Sequence, residues 1–70
     1  MNRYLIIIEK TPTGFSAYSP DIPGCVATGP TREKVQTEMK SAIEFHVEGL
    51  IEIGEAVPQP LTEAAYCEFV

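Results

Sequence analysis

The chain has 70 residues, room for one domain near the lower limit of self-sufficient folding, where roughly 60% of the unfolded surface is buried. Ten acidic residues against five basic ones give a net charge of −5, which argues against direct nucleic-acid binding, since phosphate contacts need clustered Lys and Arg. A hydrophobic fraction of 44% excludes disorder, and no apolar run approaches a membrane span or a signal-peptide core, so a cytoplasmic protein without a membrane segment is expected.

Arg3-Tyr4-Leu5-Ile6-Ile7-Ile8-Glu9 is a β-rich run flanked by charges, and its centre is apolar at both parities. Such a strand is covered on both faces. Lys10-Thr11-Pro12-Thr13-Gly14 has hairpin length and turn chemistry, and Phe15-Ser16-Ala17-Tyr18-Ser19 returns antiparallel. Pro20 forces Ser19 extended, and Ile22-Pro23-Gly24-Cys25 meets the φ requirements of a type II turn, so the loop from Pro20 to Gly24 is stiff. Cys25-Val26-Ala27-Thr28 completes a meander, closed by Gly29-Pro30.

Thr31 is a good N-cap, with Glu33 in the first turn, although Lys34 occupies the position where a capping box needs Glu or Gln. Val35, Met39, Ala42, Ile43, His46, Leu50 and Ile53 then recur at helical spacing, and Gly54 marks the stop. Lys34 with Glu38 and Lys40 with Glu44 are i,i+4 pairs on the wet side. His46 lies within the apolar stripe with no second ligand converging on it, which makes it a core or interface histidine. Residues 55–62, with Pro58 and Pro60, read as an extended linker within the single domain 1–70, and Ala64–Val70 as a last strand.

The order strand, strand, strand, helix, strand predicts an α+β fold. A right-handed crossover sets the last strand parallel to the first, giving a four-stranded mixed sheet of order 3-2-1-4 with one helix on one face. That separates Cys25 from Cys67 by about 14 Å, too far for a bridge. One helix leaves the other face bare. Apolar residues there, drawn from Leu5, Ile7, Phe15 and Tyr18, call for burial between copies, with His46 a further interface candidate, in a homodimer or homotetramer.

The same order begins a ribonuclease H-like sheet, whose nucleases hold metal ions on carboxylates of the central strand. Here that strand carries isoleucines. Glu9, Asp21 and His46 form no recognisable set, and there is no nucleophile constellation or phosphate loop, so no catalytic residue, metal or cofactor is expected.

At Tyr18-x-Pro20-Asp21-Ile22-Pro23-Gly24-Cys25, then Thr28-Gly29-x-Thr31-x-Glu33, Gly49-Leu50-x-x-x-Gly54 and Pro58-x-Pro60, the chain resembles the HicB-type antitoxin family. The resemblance implies a partly truncated ribonuclease H-like domain without nuclease activity. It also implies binding and neutralisation of a small basic HicA-type toxin, an mRNA-cleaving ribonuclease. Lys34 and Val35 depart from the acidic residue and alanine common after the cap. The C-terminal DNA-binding domain of many members is expected to be lacking, so operon autorepression is not carried over. Candidate partner contacts are Tyr18, Asp21, Ile22 and Pro23. The competing reading is an oligomeric module for another protein or a small ligand; a residual hydrolase ranks far behind.

Overall fold

A computed structural model describes residues 3–70, with three strands and a helix in succession: β1 (Ile7–Thr11), β2 (Gly14–Tyr18), β3 (Val26–Gly29) and α1 (Arg32–Glu52). The strands form an antiparallel meander of order β1-β2-β3. The hairpin closes where Thr11 faces Gly14, leaving Pro12-Thr13 as its two-residue loop. The β1 ladder starts only at Ile7, which faces Tyr18. Beyond Tyr18 the partner chain turns away at Pro20, which has no N–H to offer. The Ser19 hydroxyl takes over, donating to the Leu5 carbonyl at 2.9 Å.

Register decides which side chains face α1. Ile8, Ala17 and Ala27 stand in one cross-strand row, and Ile6, Ile8 and Phe15 pack against the same core. Ala17 and Ala27 are small, so the helix comes close and seats Val35 and Met39, both fully buried, with Ile22 and Cys25. Gly29 extends this approach, since a Cβ there would lie 3.2 Å from both Lys34 Cγ and Val35 Cγ2.

Both ends of α1 are capped as the residues dictate. Thr31 Oγ1 accepts from the Lys34 N–H at 3.1 Å. At the other end Gly54, with φ 75°, lets its own N–H reach Ile51 O and the Glu55 N–H reach Leu50 O, the two bonds of a Schellman motif. With 21 residues the helix is about 31 Å long, against about 17 Å for a five-residue strand. Its C-terminal half therefore overhangs the sheet, and Phe45, Ile51 and Ile53 are exposed.

The expected fourth strand is corrected here. Residues 64–70 pair with no strand among the described residues and are exposed throughout, so the sheet is three-stranded and the order 3-2-1-4 is not completed within one chain. The reason lies in the lead-in: the Tyr4 hydroxyl donates to Pro58 O at 2.7 Å, Thr62 is fastened to Asp21, and the chain beyond leaves the body, with Tyr66 and Phe69 exposed. An extended segment becomes a strand only where a neighbour supplies the ladder.

Because the core is so small, truncation inside it should be severe. Met39→Ala is expected to cost about 2–5 kcal/mol and Thr31→Ala about 1 kcal/mol, measured as shifts in urea midpoint at constant m-value.

Candidate partner-binding surface

Two consecutive turns build the loop between β2 and β3. The Ile22 N–H donates to Ser19 O at 3.2 Å and the Cys25 N–H to Ile22 O at 3.3 Å, with Gly24 at φ 87° in the third position of the second turn. That is the type II geometry expected from Pro23-Gly24. The loop presents Tyr18 and Pro23 outward. Ile22 points the other way and is 0% exposed, so the expectation that it touches a partner is corrected. An aliphatic side chain between two prolines gains more by plugging the end of the core than by facing water, and it anchors the loop there. Asp21 is half-buried and acts as a clamp, accepting from the Thr62 N–H at 3.0 Å and the Thr62 hydroxyl at 2.7 Å.

Ile7, Tyr18 and Val26 form a cross-strand row on the sheet face turned away from the helix, beside the polar row Glu9, Ser16 and Thr28. Tyr18 is 43% and Val26 67% exposed. Phe15 does not belong to this face. It shares parity with Ala17 and packs toward α1, and the half-buried His46 is on α1 itself, so neither shares a surface with Leu5 or Ile7 in the way expected. Alternation along β2 is the cause. Glu9, Asp21 and His46 are likewise separated, on the bare face, in the loop and on the helix. Among the described residues no three His, Cys, Asp or Glu side chains are grouped to hold a metal ion, and no helix is long and apolar enough to cross a membrane.

Glu44, Glu48 and Glu52 stand at i,i+4 spacing on the exposed part of α1, and the last turn carries no basic residue. Each such like-charge pair costs a few tenths of a kcal/mol, and carboxylates there also oppose the negative end of the helix dipole. Of the two expected ion pairs, Lys34–Glu38 forms, at 3.7 Å.

A groove of about 760 Å³ runs between α1 and the N-terminal part of the first extended segment, with Tyr4, Ile6, Ile43 and Val47 among its lining residues and Glu33, Glu44 and Glu48 beside them. Its signal is Val47, which continues the i,i+4 row of Val35, Met39 and Ile43 and carries the apolar surface past the edge of the sheet.

Burial pushes the Cys25 thiol up, and its Sγ lies 3.8 Å from the Ala42 carbonyl oxygen. A raised value means less thiolate, so alkylation of Cys25 at about pH 8 is expected to be at least about tenfold slower in the folded chain than in denaturant. Because the fold holds this proton more tightly than the unfolded chain does, stability from this group is lost as pH rises above the ordinary thiol range. Mass spectrometry of trapped thiols and urea midpoints against pH measure the two effects. Asp21→Ala is expected to release Thr62, seen as faster amide hydrogen exchange there while the amides of Val35 and Met39 stay protected.

The family model of the HicB-like antitoxin of bacterial toxin-antitoxin systems matches residues 4–68. An uncharacterized 14.9 kDa protein of Haemophilus phage HP1 is 36% identical over 96% of this chain, which spans 55% of that relative's length. A UPF0150 protein of Thermoplasma acidophilum is 31% identical over 87% of this chain and 90% of its own. Among solved structures, a chain of a complex described as the HicA3 and HicB3 toxin-antitoxin complex superposes with a TM-score of 0.69 at 37% identity, covering 86% of this chain and 70% of that one. The stiff Pro-Asp-Ile-Pro-Gly-Cys loop, the meander and the capped helix are thus the local expression of a shared architecture, and the chain belongs to the HicB-like antitoxin family.

Proposed function

We propose that this chain is an antitoxin that neutralises a small basic HicA-type toxin by binding it, without chemistry of its own. The observation that carries this reading is the likeness, at 37% identity and a TM-score of 0.69, to a chain of a solved toxin-antitoxin complex. The net charge of −5 and the unpaired glutamate row on α1 supply the complementary field, which speeds encounter and rejects acidic partners more than it adds affinity. Affinity comes from Tyr18 and Pro23, which the stiff loop holds in place at small entropic cost. Asp21 and the buried Ile22 act one step back by fixing that loop. The protein works in the cytoplasm, makes no direct contact with nucleic acid and descends from a ribonuclease H-like sheet whose fourth strand forms on assembly. It works as a homo-oligomer, with the β1 side of the sheet, Leu5 and Ile7 included, at the contact between copies.

Coexpression with the toxin encoded in the adjoining reading frame is the test. Growth arrest should be relieved and the two chains should copurify. Tyr18→Ala with Pro23→Ala should weaken binding about tenfold or more, whereas Glu48→Lys should mainly slow association and flatten its salt dependence. Absence of both relief and copurification would sink the proposal.

A further inference from the structure

We propose that residues 64–70 are a strand destined for a second copy of the chain, and that two copies exchange these segments reciprocally. Each segment lies along the open edge of β1 and beneath the overhanging part of α1 in the other copy.

The seat is visible in one chain. Among the described residues β1 pairs with β2 alone, so its other edge presents free backbone donors and acceptors. The run leading into it, Leu5-Ile6-Ile7-Ile8, contains no proline or charge, and natural sheets cover or blunt such an edge. A strand added about 4.8 Å beyond β1 falls under Ile43 and Val47, the helix residues that form the groove with Tyr4 and Ile6.

The occupant is visible too. In Ala64–Val70 one parity, Ala65, Cys67 and Phe69, is wholly apolar, while the other, Ala64, Tyr66, Glu68 and Val70, carries the segment's one charge. A segment with that alternation suits a sheet with one covered face. Yet Tyr66 is 100% and Phe69 91% exposed. The radius of gyration, 13.7 Å, exceeds the about 11 Å of a compact chain of this length, and the long axis reaches 47 Å, so the segment stands clear of the body.

Geometry selects a second copy. The Tyr4–Pro58 and Asp21–Thr62 hydrogen bonds fix the lead-in, Pro58 and Pro60 stiffen it, and Thr62, Glu63 and Ala64 stand beside Ile6 and Ile8, while beyond Ala64 the chain leaves the body, with Tyr66 and Phe69 exposed. One chain thus has an unfilled strand seat and an unpaired strand, and a two-fold exchange satisfies both at once in a closed contact. Each aromatic side chain buries about 150–250 Å². With two donated strands and two seats, the contact exceeds the roughly 1,000 Å² that a specific interface needs. Apolar Ala65, Cys67 and Phe69 then face Ile43 and Val47, and the backbone of the segment gains the ladder it lacks.

This inference deepens the oligomer part of the proposed function and does not depend on the toxin. Light scattering of the full chain alone, from about 1 to about 200 μM, should give twice the monomer mass. A nitroxide at Glu68→Cys in a Cys67→Ser background, on the parity turned away from Ile43 and Val47 and with Cys25 buried, mixed with unmodified isotope-labelled chain, should broaden the amides of Tyr4–Ile8 and Ile43–Val47 in the labelled copy. Phe69→Asp should weaken the dimer at least about tenfold while the amide spectrum around Val35 and Met39 is unchanged. A monomer throughout that range overturns the exchange. So does intermolecular broadening centred on Tyr18 and Val26 instead, or a dimer indifferent to Phe69→Asp. A monomer that still captures the toxin overturns the exchange alone, and an exchanged dimer that ignores the toxin overturns only the toxin reading.

Discussion

Val35 and Met39 packed onto the alanine row of the meander are the contact on which the rest of this structure depends. Ala17 and Ala27 contribute little apolar area of their own; their value is that their size lets the helix descend until two larger side chains are sealed from water. Ile22 and Cys25 close the end of the same core, which ties the loop between β2 and β3 to the helix. A larger residue at either alanine would lift α1, open the core and unseat the loop together.

So small a core has consequences for function. One helix lying over three strands shields one sheet face and leaves the other with the row Ile7, Tyr18 and Val26 exposed. The same helix outruns the strands, which leaves the groove lined by Ile43 and Val47 and a row of glutamates with no cation in the last turn. Each feature is a cost to an isolated chain and an opportunity to an assembled one. Apolar rows reward burial, open edges reward pairing, and uncompensated carboxylates reward a basic neighbour. That combination suits a protein that works through its surface, as the membership of the HicB-like antitoxin family would have it.

Much of this was legible in the residues. Pro23-Gly24 dictated the type II turn, Thr31 the start of the helix and Gly54 its end, because each rests on a local conformational demand that few other residues meet. The meander followed from turn chemistry and hairpin-length spacing. Family membership was readable because Pro-Asp-Ile-Pro-Gly-Cys and the glycines around the helix end are local too.

Features settled by distant partners were not legible. A loop position between two prolines reads as surface, yet the turn before Ile22 aims its side chain into the core; Phe15 is apolar and fits either face, and pairing of Lys10 with Phe15 puts it on the helix side. The last segment reads as a strand on composition, and composition did determine that it is extended and apolar at one parity. Whether it pairs, and with whom, was decided only in three dimensions, by the Asp21–Thr62 clamp and the direction in which the chain leaves it. Local φ, ψ preferences are written residue by residue, whereas a strand, a buried face or a free edge is a relation between segments far apart in the chain, and only the folded arrangement fixes it.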